Sequence, residues 1–83
     1  MAEAILMPRL GETTTEGTIF EWLVAEGDEI ELVQPIALIE TDKAQVELES
    51  VAEGTLLKIV APAGATVEAG TVIAYVGEPG EQV

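Results

Sequence analysis

The 83-residue chain contains no cysteine, no histidine and no asparagine, and Ser50 is its single serine. Without cysteine, no disulfide can stabilise the fold and no thiolate can bind a metal, which fits a reducing compartment. Without histidine, and with one serine, the usual pair of nucleophile and general base cannot be assembled. We therefore do not expect an autonomous enzyme, and any redox chemistry must come from an added group.

Basic and aromatic residues are also scarce. Three lysines and arginines stand against 16 aspartates and glutamates, which gives a formal charge of -13, and aromatic residues make up 4% of the chain. Such a charge repels phosphate backbones and anionic lipid headgroups, so neither nucleic acid nor a membrane surface is an expected partner. The acidity suits a well-solvated surface and also contact with basic proteins. The core must be aliphatic, and its Val and Ile favour strands.

Long apolar runs are missing as well. No stretch approaches the roughly 18 residues of a membrane span, and Met1 leads within a few residues into strand-like sequence, so no span, signal peptide or transit peptide is predicted. The expected location is a bacterial or archaeal cytoplasm, although a trimmed domain of the mitochondrial matrix would look the same. The carboxylates lack calcium-loop spacing, so no metal site is predicted.

The apolar pattern predicts an all-β chain. Short alternating or apolar segments recur between Gly, Pro and acidic turns, and no longer segment keeps a helical period. Eight strands are predicted, at residues 4–7, 17–24, 30–32, 35–40, 45–49, 54–60, 66–68 and 71–76. Near Phe20, where the alternation fails, we expect either a bulge or a strand covered on both faces, and we expect a positive φ at Gly27. Val46 and Leu48 are expected to point inward. Residues 1–77 form the predicted domain, and residues 78–83 the start of a flexible linker.

The sequence matches itself without gaps at a shift of 37 residues. Residues 16–18 fall on residues 53–55, and Gly27 falls on Gly64. Two copies of one four-strand unit are therefore predicted. Each copy is expected to form a four-stranded antiparallel sheet with one wet face. The two sheets then close on a common core as a flattened β-barrel or sandwich with approximate two-fold symmetry.

The two copies differ most between their first and second strands. The first copy uses residues 9–16 there, and the second copy uses only residues 50–53. Symmetry does not require the longer loop. We therefore expect it to flank the hairpin that joins the fourth and fifth strands, with the loop and the hairpin on opposite sheets.

That hairpin has the sequence Glu-Thr-Asp-Lys-Ala-Gln at residues 40–45. It presents Lys43, one of three basic residues, away from any core. Most exposed turn lysines are simply solvated. An unhindered primary amine on a stiff scaffold nevertheless offers a site for covalent acylation.

These features resemble the lipoyl domains of 2-oxo acid dehydrogenase complexes. The most specific element is Asp42-Lys43-Ala44 midway between the repeats, with residues 7–8, 16–18 and 27–28 in support, and the resemblance extends to about Val76. Biotinyl domains share the fold but usually flank their lysine with methionines. A biotin carrier domain of a carboxylase and an unmodified β-sandwich interaction module stay open as alternatives.

The resemblance implies a non-catalytic carrier domain, part of a dihydrolipoamide acyltransferase, with the chain ends at one pole and Lys43 at the other. A lipoylating enzyme would attach lipoic acid to Lys43 in amide linkage. A thiamine-diphosphate-dependent 2-oxo acid decarboxylase would reductively acylate the lipoyl group, which would pass the acyl group to coenzyme A at the acyltransferase catalytic domain. Dihydrolipoyl dehydrogenase would then reoxidise it. Tethering would raise the effective concentration of the arm at each site, and the isolated domain is expected to be monomeric.

The resemblance also suggests which residues the partner enzymes recognise. It leaves open which 2-oxo acid is the substrate of the complex. The lipoylating enzyme is expected to recognise the residues that flank the lysine: Glu40, Thr41, Asp42 and Ala44. The decarboxylase is expected to recognise the long loop: Gly11, Glu12, Thr13, Thr14 and Thr15.

Overall fold

The computed structural model describes residues 2–9 and 15–82. These residues form eight β-strands: β1 (Glu3–Leu6), β2 (Glu16–Trp22), β3 (Glu29–Ile30), β4 (Pro35–Glu40), β5 (Gln45–Glu49), β6 (Gly54–Ile59), β7 (Thr66–Glu68) and β8 (Val72–Gly77). None of the residues described is helical, so this part of the chain holds no apolar helix long enough to cross a membrane.

The strands form two four-stranded antiparallel sheets, which confirms the predicted fold class. The strand order is β1-β8-β6-β3 in sheet A and β5-β4-β2-β7 in sheet B. One order becomes the other when β1, β2, β3 and β4 are exchanged with β5, β6, β7 and β8. The two copies of the sequence repeat are therefore equivalent in the fold.

The expectation that each copy would form its own sheet is wrong. β1 and β3 lie in sheet A, whereas β2 and β4 lie in sheet B. Both β1 and β3 pair only with strands of the second copy. Because the copies are interleaved in this way, neither sheet can be completed by one copy alone.

The repeat extends to the irregular features of the strands. The pairing of β2 with β4 shifts register at Phe20, where a bulge is one of the two predicted alternatives, and the pairing of β6 with β8 shifts at Leu57, 37 residues later. Gly27 has a φ of +96°, as predicted, and Gly64 has a φ of +93°. Each donates its N–H to a carbonyl of the other copy, at 2.7 and 2.6 Å. Such bonds fix the two sheets against each other.

The core between the sheets is aliphatic, as the composition predicts. Full burial of one such side chain stabilises the fold by about 1.5–3 kcal/mol. Nine large side chains in the described part of the chain are less than 2% exposed: Ile5, Met7, Ile19, Ile30, Ile36, Ile39, Leu56, Ile73 and Val76.

Side-chain hydrogen bonds also join the first copy to the second, among them one between the Thr18 and Thr66 hydroxyls at 2.8 Å. The Trp22 indole donates to the Ala61 carbonyl at 2.8 Å, and the Glu26 carboxylate accepts the Ile59 N–H at 2.8 Å. The positions 37 residues after Trp22 and Glu26 are Ile59 and Ala63, so neither bond is repeated. Trp22 therefore bridges the copies, and its fluorescence should report on their assembly.

One apolar residue is less buried than expected, and another lies outside the strand predicted for it. Val46 pairs with Ile39 but lies on the edge strand β5, which has no outer neighbour to cover it, and it is 36% exposed. Leu32 is not in a strand, because β3 ends at Ile30, and it is 55% exposed in the following turn. The strands β4, β5 and β7 have the predicted bounds, and the remaining strand ends lie within two residues of the predicted ones.

Residues 78–81 form a turn at the position equivalent to 41–44 in the first copy. The Glu81 N–H bonds to the Glu78 carbonyl at 3.0 Å, and the Glu81 carboxylate accepts the Glu78 N–H at 3.1 Å. This bond from the Glu78 backbone lowers the pKa of Glu81 below its ordinary value. The linker assignment for residues 78–83 stays a prediction.

Val33 has a strained backbone. Its φ is +66°, a region that β-branched residues avoid. Its counterpart 37 residues later is Gly70, with a φ of +91°. The Val33 N–H bonds to the Ser50 carbonyl at 2.9 Å, and the Gly70 N–H bonds to the Met7 carbonyl at 2.8 Å. Both turns thus have the same geometry, and only one carries the residue suited to it.

We expect Val33→Gly to raise the free energy of unfolding by about 0.5–1 kcal/mol. Removing the side chain from a left-handed backbone should raise the free energy of unfolding by about 1–2 kcal/mol. The greater freedom of glycine in the unfolded chain should lower it by about 0.5–1 kcal/mol. Little packing is lost, since Val33 is 62% exposed. Urea unfolding followed by Trp22 fluorescence measures the change. Val51→Gly, at an exposed valine without positive φ, should destabilise, and a destabilised Val33→Gly would contradict the strain argument.

Candidate functional site

The structure places Lys43 in the turn between β4 and β5. β4 ends at Glu40 and β5 begins at Gln45, and these two residues pair across the hairpin. Residues 41–44, the hairpin tip, connect them, and Lys43 is exposed there. The amine is therefore carried by a short connection between two paired strands of sheet B.

Four hydrogen bonds within four residues hold the hairpin tip. The Thr41 N–H donates to the Ala44 carbonyl at 2.8 Å. The Thr41 hydroxyl oxygen accepts the Lys43 N–H at 3.2 Å and the Ala44 N–H at 3.1 Å, and the hydroxyl donates to the Ala44 carbonyl at 3.0 Å. Threonine side chains close turns in this way by bonding to backbone groups two or three residues further on. The backbone of Lys43 is thereby fixed while its side chain stays exposed.

The start of β1 and the end of β8 lie together at the opposite end of the molecule from Lys43. The start of β2 pairs with the end of β4, beside the hairpin tip. Ala69, just before β8, donates its N–H to the Thr15 carbonyl, just before β2, at 2.8 Å, so β8 also begins at this end. It runs from there to Gly77, where the Cα of Ala2 lies 3.0 Å from the position that a Cβ on Gly77 would take.

A surface recess of about 490 Å³ lies beside the hairpin tip. Its lining includes Thr15 and Glu16, at the end of the long loop, together with Glu40, Thr41 and Asp42 of the hairpin. The described end of the loop therefore adjoins the hairpin. The prediction that loop and hairpin belong to opposite sheets is wrong, because the loop leads into β2, which pairs with β4 in sheet B.

Part of the predicted recognition loop lies outside the described residues. These are Gly11, Glu12, Thr13 and Thr14. Thr15 is described, and it is exposed at the recess.

The repeated fold forms an equivalent recess at each end of the molecule, so the recess is not specific to the end that carries Lys43. A second recess, of about 420 Å³, lies at the end of β8 and is lined by Glu53, Gly54 and Thr55, which are the counterparts of residues 16–18. Residues 77–79 line it in place of residues 40–42. Since both ends carry the recess, its shape marks no site. What distinguishes the end at the hairpin tip is Lys43. In the described ranges, no group of His, Cys, Asp or Glu is arranged to hold a metal ion.

Two comparisons with known proteins bear on the whole chain. A family model named Biotin_lipoyl, described as "Biotin-requiring enzyme", matches residues 3–76. The solution structure of the lipoyl domain of the Azotobacter vinelandii 2-oxoglutarate dehydrogenase complex is 31% identical, with a TM-score of 0.72 over 93% of this chain and 98% of that one. The chain belongs to the biotin/lipoyl family, as a lipoyl domain.

Other relatives are much longer than this lipoyl domain. It is 44% identical over 77 residues to the dihydrolipoyllysine-residue acetyltransferase component of the Corynebacterium glutamicum pyruvate dehydrogenase complex, a match that covers 93% of the domain and 11% of the relative. A Kluyveromyces lactis urea carboxylase structure is 26% identical, with a TM-score of 0.75 over 93% of the domain and 6% of that chain. The fold is thus shared with a carboxylase, and the higher sequence identities favour the lipoyl assignment.

Thr41 was predicted to contact the lipoylating enzyme, and its hydrogen bonds within the hairpin tip were not predicted. The signal was present, since a threonine two or three residues before the amides it can bond is a common turn pattern. The exposure of Glu40, Asp42 and Ala44 is consistent with contact to a partner.

Proposed function

We propose that the domain is a swinging-arm acyl carrier and that Lys43 bears lipoic acid. The observation that carries this proposal is an exposed amine on a hairpin tip fixed by four hydrogen bonds, in a lipoyl domain. Attachment joins the Lys43 nitrogen to the lipoic acid carboxyl carbon as an amide, with net loss of water, and removes the positive charge of the lysine. The formal charge then falls from -13 to -14.

The residues around Lys43 fit such a group. The side chain is exposed and its neighbours in the tip are small or short: Thr41, Asp42 and Ala44. When bound, the lipoyl group supplies the disulfide and thiol chemistry that this cysteine-free chain lacks. The chain itself contributes a fixed attachment point, a flexible four-carbon stem and a strongly acidic surface.

The proposed partners follow from this role. We infer that a lipoylating enzyme attaches the arm. A thiamine-diphosphate-dependent 2-oxo acid decarboxylase, an acyltransferase catalytic domain and dihydrolipoyl dehydrogenase then act on it in turn. Glu40, Asp42 and Ala44 are proposed contacts of the lipoylating enzyme, and the loop at residues 11–15 is a proposed contact of the decarboxylase. The relatives compared above belong to complexes named for two different 2-oxo acids, so the proposal covers the substrate class.

A competition between lipoylation and biotinylation tests the proposal. The domain is incubated with both ligases, lipoate, biotin and ATP, then digested and weighed by mass spectrometry. We expect one lipoyl group on Lys43 and none on Lys58, which is also exposed but lies within the strand β6. An adduct on Lys58, or biotin as the main adduct, would contradict the proposal.

The double variant Asp42→Met/Ala44→Met carries the test further. Methionines flank the lysine of biotinyl domains, so this variant should shift the ratio of biotin to lipoate several-fold toward biotin. A matched variant with methionines beside Lys58, Leu57→Met/Ile59→Met, should leave the ratio unchanged. If the ratio does not move in the first variant, the selectivity lies elsewhere than at Asp42 and Ala44.

A further inference from the structure

The hydroxyl of Thr41 is fully used inside the hairpin tip. Its oxygen accepts two N–H groups, those of Lys43 and Ala44, at 3.2 and 3.1 Å, and its proton goes to the Ala44 carbonyl at 3.0 Å. A hydroxyl has one proton and two acceptor lone pairs. None of these is left for an incoming enzyme to read, so Thr41 is poorly suited to act by polar contact.

The second copy of the repeat shows that the fold does not need this hydroxyl. The turn at residues 78–81 is equivalent to the hairpin tip, and Glu78 occupies the place of Thr41. That turn is closed by a backbone bond between Glu81 and Glu78 and by the Glu81 carboxylate. The threonine bonds therefore belong to the lysine end alone, and they converge on the backbone of the residue to be modified and of the next one.

We propose that Thr41 is a positioning residue for the modification of Lys43, acting through the backbone of the hairpin tip. This inference rests on the proposed function and differs from the contact role predicted for Thr41. A tip without the hydroxyl bonds samples open states that present the amine wrongly. Since the enzyme binds only the closed state, its apparent affinity falls in proportion to the closed fraction, so KM rises while kcat is preserved.

Three variants separate positioning from contact. Thr41→Val keeps the shape and removes the hydroxyl, and Thr41→Ala also removes the hydroxyl without β-branching, in case the valine variant folds poorly. Thr41→Ser keeps the hydroxyl and removes the methyl group. Folding of each is checked by thermal unfolding followed by Trp22 fluorescence.

The first readout is amide hydrogen exchange in the unmodified domain, measured by NMR. We expect amide exchange at Lys43 and Ala44 to be about tenfold faster in Thr41→Val and Thr41→Ala, because loss of one such hydrogen bond makes opening of the tip about tenfold more favourable. In Thr41→Ser the exchange rates should stay within about twofold of wild type. Amides in the turn at residues 78–81 serve as the internal control and should not change.

The second readout is the kinetics of lipoylation. KM for the domain should rise by more than twofold, and by at most the tenfold change in tip opening, in Thr41→Val and Thr41→Ala with kcat within about twofold, and Thr41→Ser should behave as wild type. Faster exchange without a rise in KM overturns the proposal, as does a serine variant that is as impaired as the valine one. A wild-type domain that takes up no lipoyl group overturns the proposed function and this role together, whereas a lipoylated wild-type domain whose Thr41→Val and Thr41→Ala variants keep the same KM removes the role of Thr41 alone.

Discussion

Lys43→Arg is expected to eliminate lipoylation and with it all acyl transfer through the domain. The guanidinium keeps the length and charge of the side chain but stays protonated at any accessible pH, so it cannot form the amide. The side chain is exposed and lies outside the core, so the free energy of unfolding should change by less than about 0.5 kcal/mol. Loss of function with intact folding would locate the carrier role at one amine.

Intact mass and native electrophoresis measure the first part of this result. The wild-type domain should gain one lipoyl group and one negative charge, and Lys43→Arg should show neither change. Incubation of the lipoylated domain with a 2-oxo acid and decarboxylases from different complexes then measures acylation and identifies the substrate served. Only wild type should be acylated.

Lys58→Arg is the matched control. It makes the same chemical change at an exposed lysine within β6, so modification and acylation should match wild type. Residual acylation of Lys43→Arg, or its loss in Lys58→Arg, would show that Lys43 is not the single point of attachment. Because the control leaves the hairpin tip intact, general effects of replacing lysine are separated from the role of the tip.

The strands could be predicted from the sequence because their signals are local. Alternation of apolar residues gives the face of each strand, and the failure of alternation at Phe20 left a bulge or a doubly covered strand, of which the structure has the bulge. The partner of each strand is a different kind of information. The pattern of β1 is satisfied by any sheet with an apolar face, so nothing local shows that β1 pairs with β8 of the other copy.

At the candidate site, too, some features follow from local sequence signals and others depend on contacts between strands. Lys43 could be placed at a hairpin tip from strand boundaries alone, since residues 40–45 separate two clear strands. The exposure of Val46 could not be predicted from the sequence, because it depends on β5 lying at the edge of sheet B. The bonds of Thr41 depend on where its oxygen lies relative to two amides, and a strand pattern does not specify the turn geometry between the strands.

Gly54→Ala is expected to destabilise the fold by about 3 kcal/mol or more. Gly54 has a φ of +143°, which costs a residue with a side chain about 1–3 kcal/mol. A Cβ there would lie 2.6 Å from the carbonyl oxygen of Gly77 and 3.4 Å from Cγ1 of Val76. The carbonyl belongs to the backbone of β8 and cannot rotate away, so β6 and β8 must separate, at a further cost of about 1–3 kcal/mol.

Gly27→Ala distinguishes these two contributions. Gly27 also has positive φ, +96°, but a Cβ there would meet nothing within 4 Å. It should therefore show the backbone cost alone, about 1–2 kcal/mol. Urea unfolding followed by Trp22 fluorescence measures both variants, and in thermal unfolding the Gly54 variant should lose roughly 12–24 °C in Tm. Equal losses in the two variants would mean that the contact with Gly77 is relieved by a small shift.

The position of Gly54 makes this variant a test of how independent the two ends of the domain are. Gly54 lines the recess at the end of β8, whereas Lys43 lies at the opposite end. Well below its lowered Tm, the Gly54→Ala domain should be lipoylated at the wild-type rate, because the four bonds of the hairpin tip involve residues 41–44 alone. A lipoylation rate that falls while the domain is still folded would show that strain at one end reaches the other through β4 and β8, and the interleaving of the two copies would then be part of how the amine is held.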